Sequence, residues 1–332
     1  MWIINKYVDV LLMSVSSILI YFLLVYGKNY ENLYFYMFYL VTLIDSCHVF
    51  LTVGRIRKDY NIDKTFFIVT PIVVFLILFF YQYFQVPNLW TIFLYFAFFH
   101  FVKQNFGISR WYMAQNNFRK DRIIDHYVFL TTFLPFVMAH FREGFVGVSF
   151  NGDFNSLFLI PDSHMYQTFV IINIFTIITY FLYELKLWFK DNIKELGRVI
   201  FLTCNLIMFN ILGFYSNEAI ILLIAFLTAH SIQYFVLNFK AFKMLYKMNF
   251  KTAFKFLIPI TLFLGVYDIF QSELIETNYY YMGNNISIWI LILVAISWTP
   301  LLTHYILDMK IWTKEWNQKA KELDIKRREN NS

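Results

Sequence analysis

Four histidines, at 48, 100, 230 and 304, each fall inside a long apolar block. Each has a carboxylate or an amide three or four residues away: Asp45 before His48, Gln104 after His100, Gln233 after His230 and Asp308 after His304. On a helix, those spacings put both side chains on one face. Polar groups in hydrocarbon are costly and mark function. An imidazole can offer one ring nitrogen to a metal while a neighbouring carboxylate or amide holds the other and fixes the tautomer. The pattern therefore points to a metal site ligated by His48, His100, His230 and His304. Asp45, Gln104, Gln233 and Asp308 would support the rings. No acid, base or nucleophile is assigned.

Four neutral imidazoles suit iron, zinc, copper or nickel. Redox chemistry on apolar substrates favours Fe(II); Zn is the alternative and suits hydrolysis better. The two cysteines, Cys47 and Cys204, sit in separate apolar blocks and make neither a disulfide framework nor a thiolate metal site. His126, His140 and His164 fall outside the pattern. A histidine inside a membrane also serves as a hydrogen-bonded packing group or a proton relay, and that is the alternative to ligation.

The elements that must position these residues are read from the blocks themselves. The chain of 332 residues is 59% hydrophobic and only 15% charged, too little charge for a soluble domain of this size. The apolar runs predict an all-α, polytopic membrane protein with about ten transmembrane helices, near 8–26, 33–53, 66–84, 89–109, 123–140, 165–185, 199–215, 218–237, 254–271 and 286–307. Connections rich in Lys and Arg alternate with connections poor in them along the whole chain. The positive-inside rule then places both the N-terminus and the C-terminus in the cytoplasm. On that topology the four histidines lie on even-numbered spans, in their cytoplasmic halves, within ~6 Å of one depth. The net charge of +6 is an orientation signal, and nucleic acid is excluded as a partner.

Residues 1–314 read as one transmembrane domain and 315–332 as a charged cytoplasmic tail. In the inner loop 238–256 the lysines recur every three or four residues among Phe, Leu, Tyr and Met, which favours anionic membrane lipids; ordinary snorkelling is the competing account. A bacterial cytoplasmic membrane is the simplest home.

Three stretches, "AFFHFVKQ" (97–104), "TAHSIQYF" (228–235) and "LLTHYILDMKIW" (301–312), resemble the histidine motifs of the bacteriorhodopsin-related Brp/Blh family of membrane β-carotene 15,15′-dioxygenases. The matching elements are His100-Phe101, His230-Ser231, and His304 with Asp308. "LIDSCHVF" (43–50) departs from that family's first motif: it lacks the proline and the glycine, and Asp45 precedes His48. The family's second histidine in the third motif is also missing, with Gln233 and Tyr234 nearby. The resemblance covers about 40 residues on four spans. It implies a non-haem iron oxygenase acting on a long apolar, carotenoid- or lipid-like molecule that enters from the bilayer. Phe98, Phe99, Phe101, Phe106 and Trp111 are the expected wall for that substrate.

Two other classes compete. A proton-coupled transporter or channel with a histidine relay needs a polar path through the whole bilayer, whereas outer halves such as "LWTIFLYFAFF" (89–99) are almost continuously apolar. A metal-dependent lipid transferase or hydrolase at the inner headgroups could draw on Asp45, Lys103, Asp308 and Arg110.

Overall fold

The computed structural model describes residues 2–27, 29–30, 64–84, 89–115, 122–145, 159–189, 195–214, 219–246 and 287–311, with isolated helical positions between 36 and 49 and between 255 and 266. The helices are α1 (Lys6–Gly27), α2 (Lys64–Tyr83), α3 (Leu89–Gln115), α4 (Arg122–Phe141), α5 (Ser163–Phe189), α6 (Leu196–Phe214), α7 (Ala219–Tyr246) and α8 (Ile288–Ile311). Every regular element among the described residues is helical. In hydrocarbon, a helix satisfies its own backbone groups, so long apolar runs have no cheaper conformation.

Six of these helices, α1, α2, α4, α5, α6 and α8, contain segments long and apolar enough to cross a membrane. The helices α3 and α7, of 27 and 28 residues, carry the polar clusters that follow His100 and His230. Both outrun the expected spans, which stop at 109 and 237. The polar residues continue the same helix rather than ending it; α3 runs on even through Gly107. Of the other two expected spans, 33–53 and 254–271, only scattered positions lie among the described residues, all of them helical. The tail 315–332 and most of the basic segment 247–256 lie outside the described residues.

Helix α5 shows which solvent the fold is built for. Its buried positions are Asn173, Thr176, Tyr180, Glu184 and Leu187, spaced three or four apart along one face. Its exposed face carries Ile171, Ile174, Phe175, Ile178, Leu182 and Leu185. Polar inside and apolar outside is the reverse of a water-soluble helix, and it fits a lipid surround. Asp162 caps this helix, accepting from the backbone N–H groups of His164 and Met165.

Tight packing fixes the bundle. A Cβ added at Gly213 of α6 would come within 3.2–3.3 Å of Met138 and Pro135 on α4, so a larger residue there would have to push α4 back by a few tenths of an ångström. Helix α1 passes, after Val8, through a π-helical segment, Asp9–Val15, which packs against α6 and α7. The buried Asp9 carboxylate there accepts from the N–H groups of Ile3 and Ile4 and from the Tyr112 hydroxyl, tying the N-terminal residues to α3. Arg198 at the start of α6 is also buried; it bonds both oxygens of Glu184 on α5 and one oxygen of Glu195.

Candidate metal centre

Three of the four histidines stand on helices that run in the same direction. On α3 and α8, Phe93 meets Trp298 and, seven residues further along both helices, His100 meets Tyr305. On α7 and α8, His230 faces His304, and four residues later Tyr234 bonds Asp308. On α3 and α7, His100 contacts His230, and Gln104 bonds Gln233 one turn later. Parallel helices in matched register bring the His-containing turns to one level. His48 enters the same group from the helical residues around 43–49.

The four rings are all buried. Their Nε2 atoms converge: His48 to His304 is 3.1 Å, His48 to His230 is 3.1 Å and His100 to His230 is 3.2 Å. Two ligands of one ion, with metal–nitrogen bonds of ~2.0–2.1 Å, lie ~2.9 Å apart at a right angle and ~3.4 Å apart at the tetrahedral angle. The observed separations fall between these values. Neutral imidazoles cannot explain such convergence by pairing alone, because His48 and His230 each turn one Nε2 toward two others while each ring has one proton to donate. A shared cation would resolve the conflict.

The arrangement of the rings is more specific than their proximity. Taken in the cycle His48, His230, His100, His304, neighbouring centroids are 4.8, 4.7, 5.0 and 4.7 Å apart, and His230 to His304 across the cycle is 6.3 Å. Four imidazoles placed tetrahedrally around one ion would have equal centroid separations of ~5.2 Å, whereas a square has sides of ~4.5 Å and diagonals of ~6.4 Å. The neighbouring separations lie between the two arrangements, and the His230–His304 separation is close to a square's diagonal.

No protein-family model, curated protein or solved structure matches this chain.

The surrounding polar groups divide into two kinds. Asp45 stands as the spacing suggested: its Oδ1 lies 3.2 Å from His48 Nδ1. Ser231 Oγ lies 3.0 Å from the same nitrogen and 2.7 Å from Asp45 Oδ1. These acceptors assign the proton of His48 to Nδ1 and leave the Nε2 lone pair facing the other rings. Gln104 and Gln233 do something else. The Gln104 amide donates to the backbone carbonyl of His230 and to Gln233 Oε1, and the Gln233 amide donates to the carbonyl of Met13. They tie α3, α7 and α1 together rather than holding a ring nitrogen. Asp308 also differs from expectation. Its Oδ2 lies 3.5 Å from His100 Nε2 and 3.7 Å from His304 Nε2, on the ligating side of both rings.

Of the expected substrate wall, Phe101 lies at the site, with its ring 5.1 Å from His230. Phe98 stacks on Phe136 of α4 at 3.8 Å, Phe99 faces outward at 42% exposure, and Trp111 is buried beneath the Lys240 ammonium. Phe106 lies beside Lys103 and Arg110. The exposed Lys103 lies over Phe99, in a snorkelling pose and not a ligating one. Sequence reasoning missed Tyr305, whose ring stacks on His100 at 4.6 Å, and Tyr234, whose ring lies 5.4 Å from both His48 and His304. Tyr234 four residues after His230 carries the same spacing signal as Gln104 after His100. Tyr305 carries none. The other histidines are apart from the site: His140 bonds the Tyr95 hydroxyl and the Phe136 carbonyl, and His126 and His164 are exposed.

Proposed function

We propose that the chain is a membrane-embedded non-haem iron oxygenase that acts on a long apolar, carotenoid- or lipid-like substrate. The observation that carries this reading is the convergence of the buried His48, His100, His230 and His304 rings, with three Nε2–Nε2 separations of 3.1–3.2 Å. An ion held there by imidazoles would keep positions for exchangeable ligands, which oxygen chemistry needs. The resemblance of the three histidine stretches to the Brp/Blh dioxygenases points the same way. In this reading the chain has about ten spans, both termini are cytoplasmic, the site lies in the inner half of the bilayer, and the membrane is a bacterial cytoplasmic membrane.

Iron(II) held by the ring would supply the activation of dioxygen. The chain's own residues do the rest. Asp45 and Ser231 hold the His48 tautomer. Phe101 and Tyr305 cover the His230 and His100 rings with aromatic surface, which keeps water away and offers apolar contact to a substrate arriving from lipid. The exposed apolar faces of the helices give such a molecule a lateral approach.

Oxygen consumption by the purified, iron-loaded protein tests the reading, with carotenoids and long-chain lipids supplied in detergent micelles. Uptake that depends on both iron and a long apolar substrate supports it. Turnover of lipid under nitrogen with zinc bound would establish the hydrolase or transferase instead. Proton or solute flux in liposomes without oxygen would establish the transporter.

A further inference from the structure

We infer that the segment 2–7 is a plug that shuts the histidine centre from water at the end of the bundle where α3, α7 and α8 finish, and that its release is the way in for the metal ion. The plug itself needs no metal; only its role as the ion's entrance rests on the site proposed above.

The segment seats one side chain. Ile3 is buried, whereas Ile4, Asn5, Lys6 and Tyr7 are exposed. Ile3 joins the buried cluster that holds Met13, Trp111, Tyr112, Tyr234 and Leu237. Tyr234 is the member beside the centre, with its ring 5.4 Å from both His48 and His304. The backbone of the plug is clamped from two sides. The Asp9 carboxylate accepts from the N–H groups of Ile3 and Ile4, and the Tyr112 hydroxyl of α3 donates to the same carboxylate at 3.0 Å. The Lys240 ammonium of α7, lying over Trp111, donates to the Ile3 carbonyl. Tyr112 stands twelve residues after His100 and Lys240 ten after His230, so the clamp lies ~15–18 Å beyond the histidines along their helices. One buried side chain, held by three hydrogen bonds to its backbone, is a light tie. A segment tied so lightly opens by local unfolding while the bundle stays folded.

Polar groups lead from the plug to the histidines. Just past Asp9, the π-helical segment presents the Met13 carbonyl to the Gln233 amide. Gln233 Oε1 accepts from Gln104, and Gln104 also donates to the His230 carbonyl. Irregular helix turns of this kind are frequent at functional sites. Gln104 Oε1 and, on the Tyr112 face of α3, Ser109 Oγ are buried and make no hydrogen bond. They are acceptors on this route for the water that an ion carries in. A divalent ion does not cross bare hydrocarbon. It reaches the histidines from an aqueous end, and this end offers polar groups behind a removable stopper.

Thiol labelling tests the plug. Ser109→Cys puts a thiol between the clamp and the histidines and removes no hydrogen bond. A charged methanethiosulfonate that stays in water is the probe, and peptide mass spectrometry separates this thiol from Cys47 and Cys204. Labelling should be slow with the plug in place and ~10-fold faster or more when Ile3→Gln or Lys240→Met is added. Lys240→Met keeps Ile3 itself and serves if the first variant does not fold. Arg198→Met weakens the bundle elsewhere and should leave the rate unchanged while the protein is folded. Folded plug variants that label no faster than Ser109→Cys alone overturn the plug, and so does an equal rise with Arg198→Met. For the entrance, chelator-driven release of iron should speed up by a similar factor in Ile3→Gln, with occupancy at saturation retained. Faster labelling with unchanged release keeps the plug and overturns the entrance. A folded protein that binds no metal overturns the metal site proposed above, and the thiol rates still decide the plug.

Discussion

His48 Nε2 lies 3.1 Å from His304 Nε2, although the two residues are 256 positions apart in the chain. Each belongs to a different helical segment, and each ring meets the other nearly edge to face, at 82°. Two helical segments have placed two ring nitrogens at a separation that one metal ion could bridge. His48 also touches His230, so it occupies the middle of the set. Replacing His48 by alanine should lower metal affinity by more than ~100-fold, beyond the usual effect of losing a supporting residue. Chelator competition on the purified protein measures it, and retained affinity would remove His48 from the ligand set.

Asp45 and Ser231 act through the Nδ1 atom of His48 and do not touch the ligating nitrogens. Asp45→Asn and Ser231→Ala should each weaken metal binding by ~10–100-fold with the metal stoichiometry at saturation unchanged. The same titration separates this from loss of a ligand, which would lower stoichiometry as well.

Gln104 and Gln233 form one hydrogen-bonded unit joining α3 to α7 and to the carbonyl of Met13 in the π-helical turn of α1. Replacing either by leucine should destabilise the protein, and a double-mutant cycle should show a coupling of ~0.5–1.5 kcal/mol between them. Thermal unfolding in detergent measures this. Additive effects would mean that the pair does not form.

Arg198 is buried among Glu184 and Glu195, away from the histidines. Arg198→Met leaves two buried carboxylates without their cation and should cost ~3–5 kcal/mol of stability. Replacing all three residues by apolar ones of similar volume should recover most of that loss. Metal stoichiometry in the folded fraction should be unchanged in both, because the network is structural.

Much of this was legible in the sequence, for a physical reason. Lipid allows only long apolar helices, so α2, α4, α5 and α6 could be placed from residue type alone. The four histidines were legible because a polar group in such a block has few uses. What was not legible is what crosses between helices. A spacing of four puts Gln104 on the face of His100, but it does not say that the amide reaches to Gln233 on another helix instead of to the ring. The same limit hid the turn of Asp308 toward the ligating nitrogens and the seating of Tyr305 on His100. Among the phenylalanines, type could not separate Phe101, which faces His230, from Phe99, which faces outward. That difference is set by the rotation of α3 against its neighbours. The ends of α3 and α7 ran past their expected limits because those limits stop just short of the basic residues Arg110 and Lys240, while helical hydrogen bonding continues beyond them.

The central claim is that four histidines from four separate segments hold one metal ion. Mass-spectrometric metal analysis of the detergent-purified protein, beside its His100→Ala and His304→Ala variants, tests it most directly. About one iron per wild-type chain, lost from both folded variants, is the predicted result. A folded wild-type protein without metal, or variants that keep full occupancy, would contradict it.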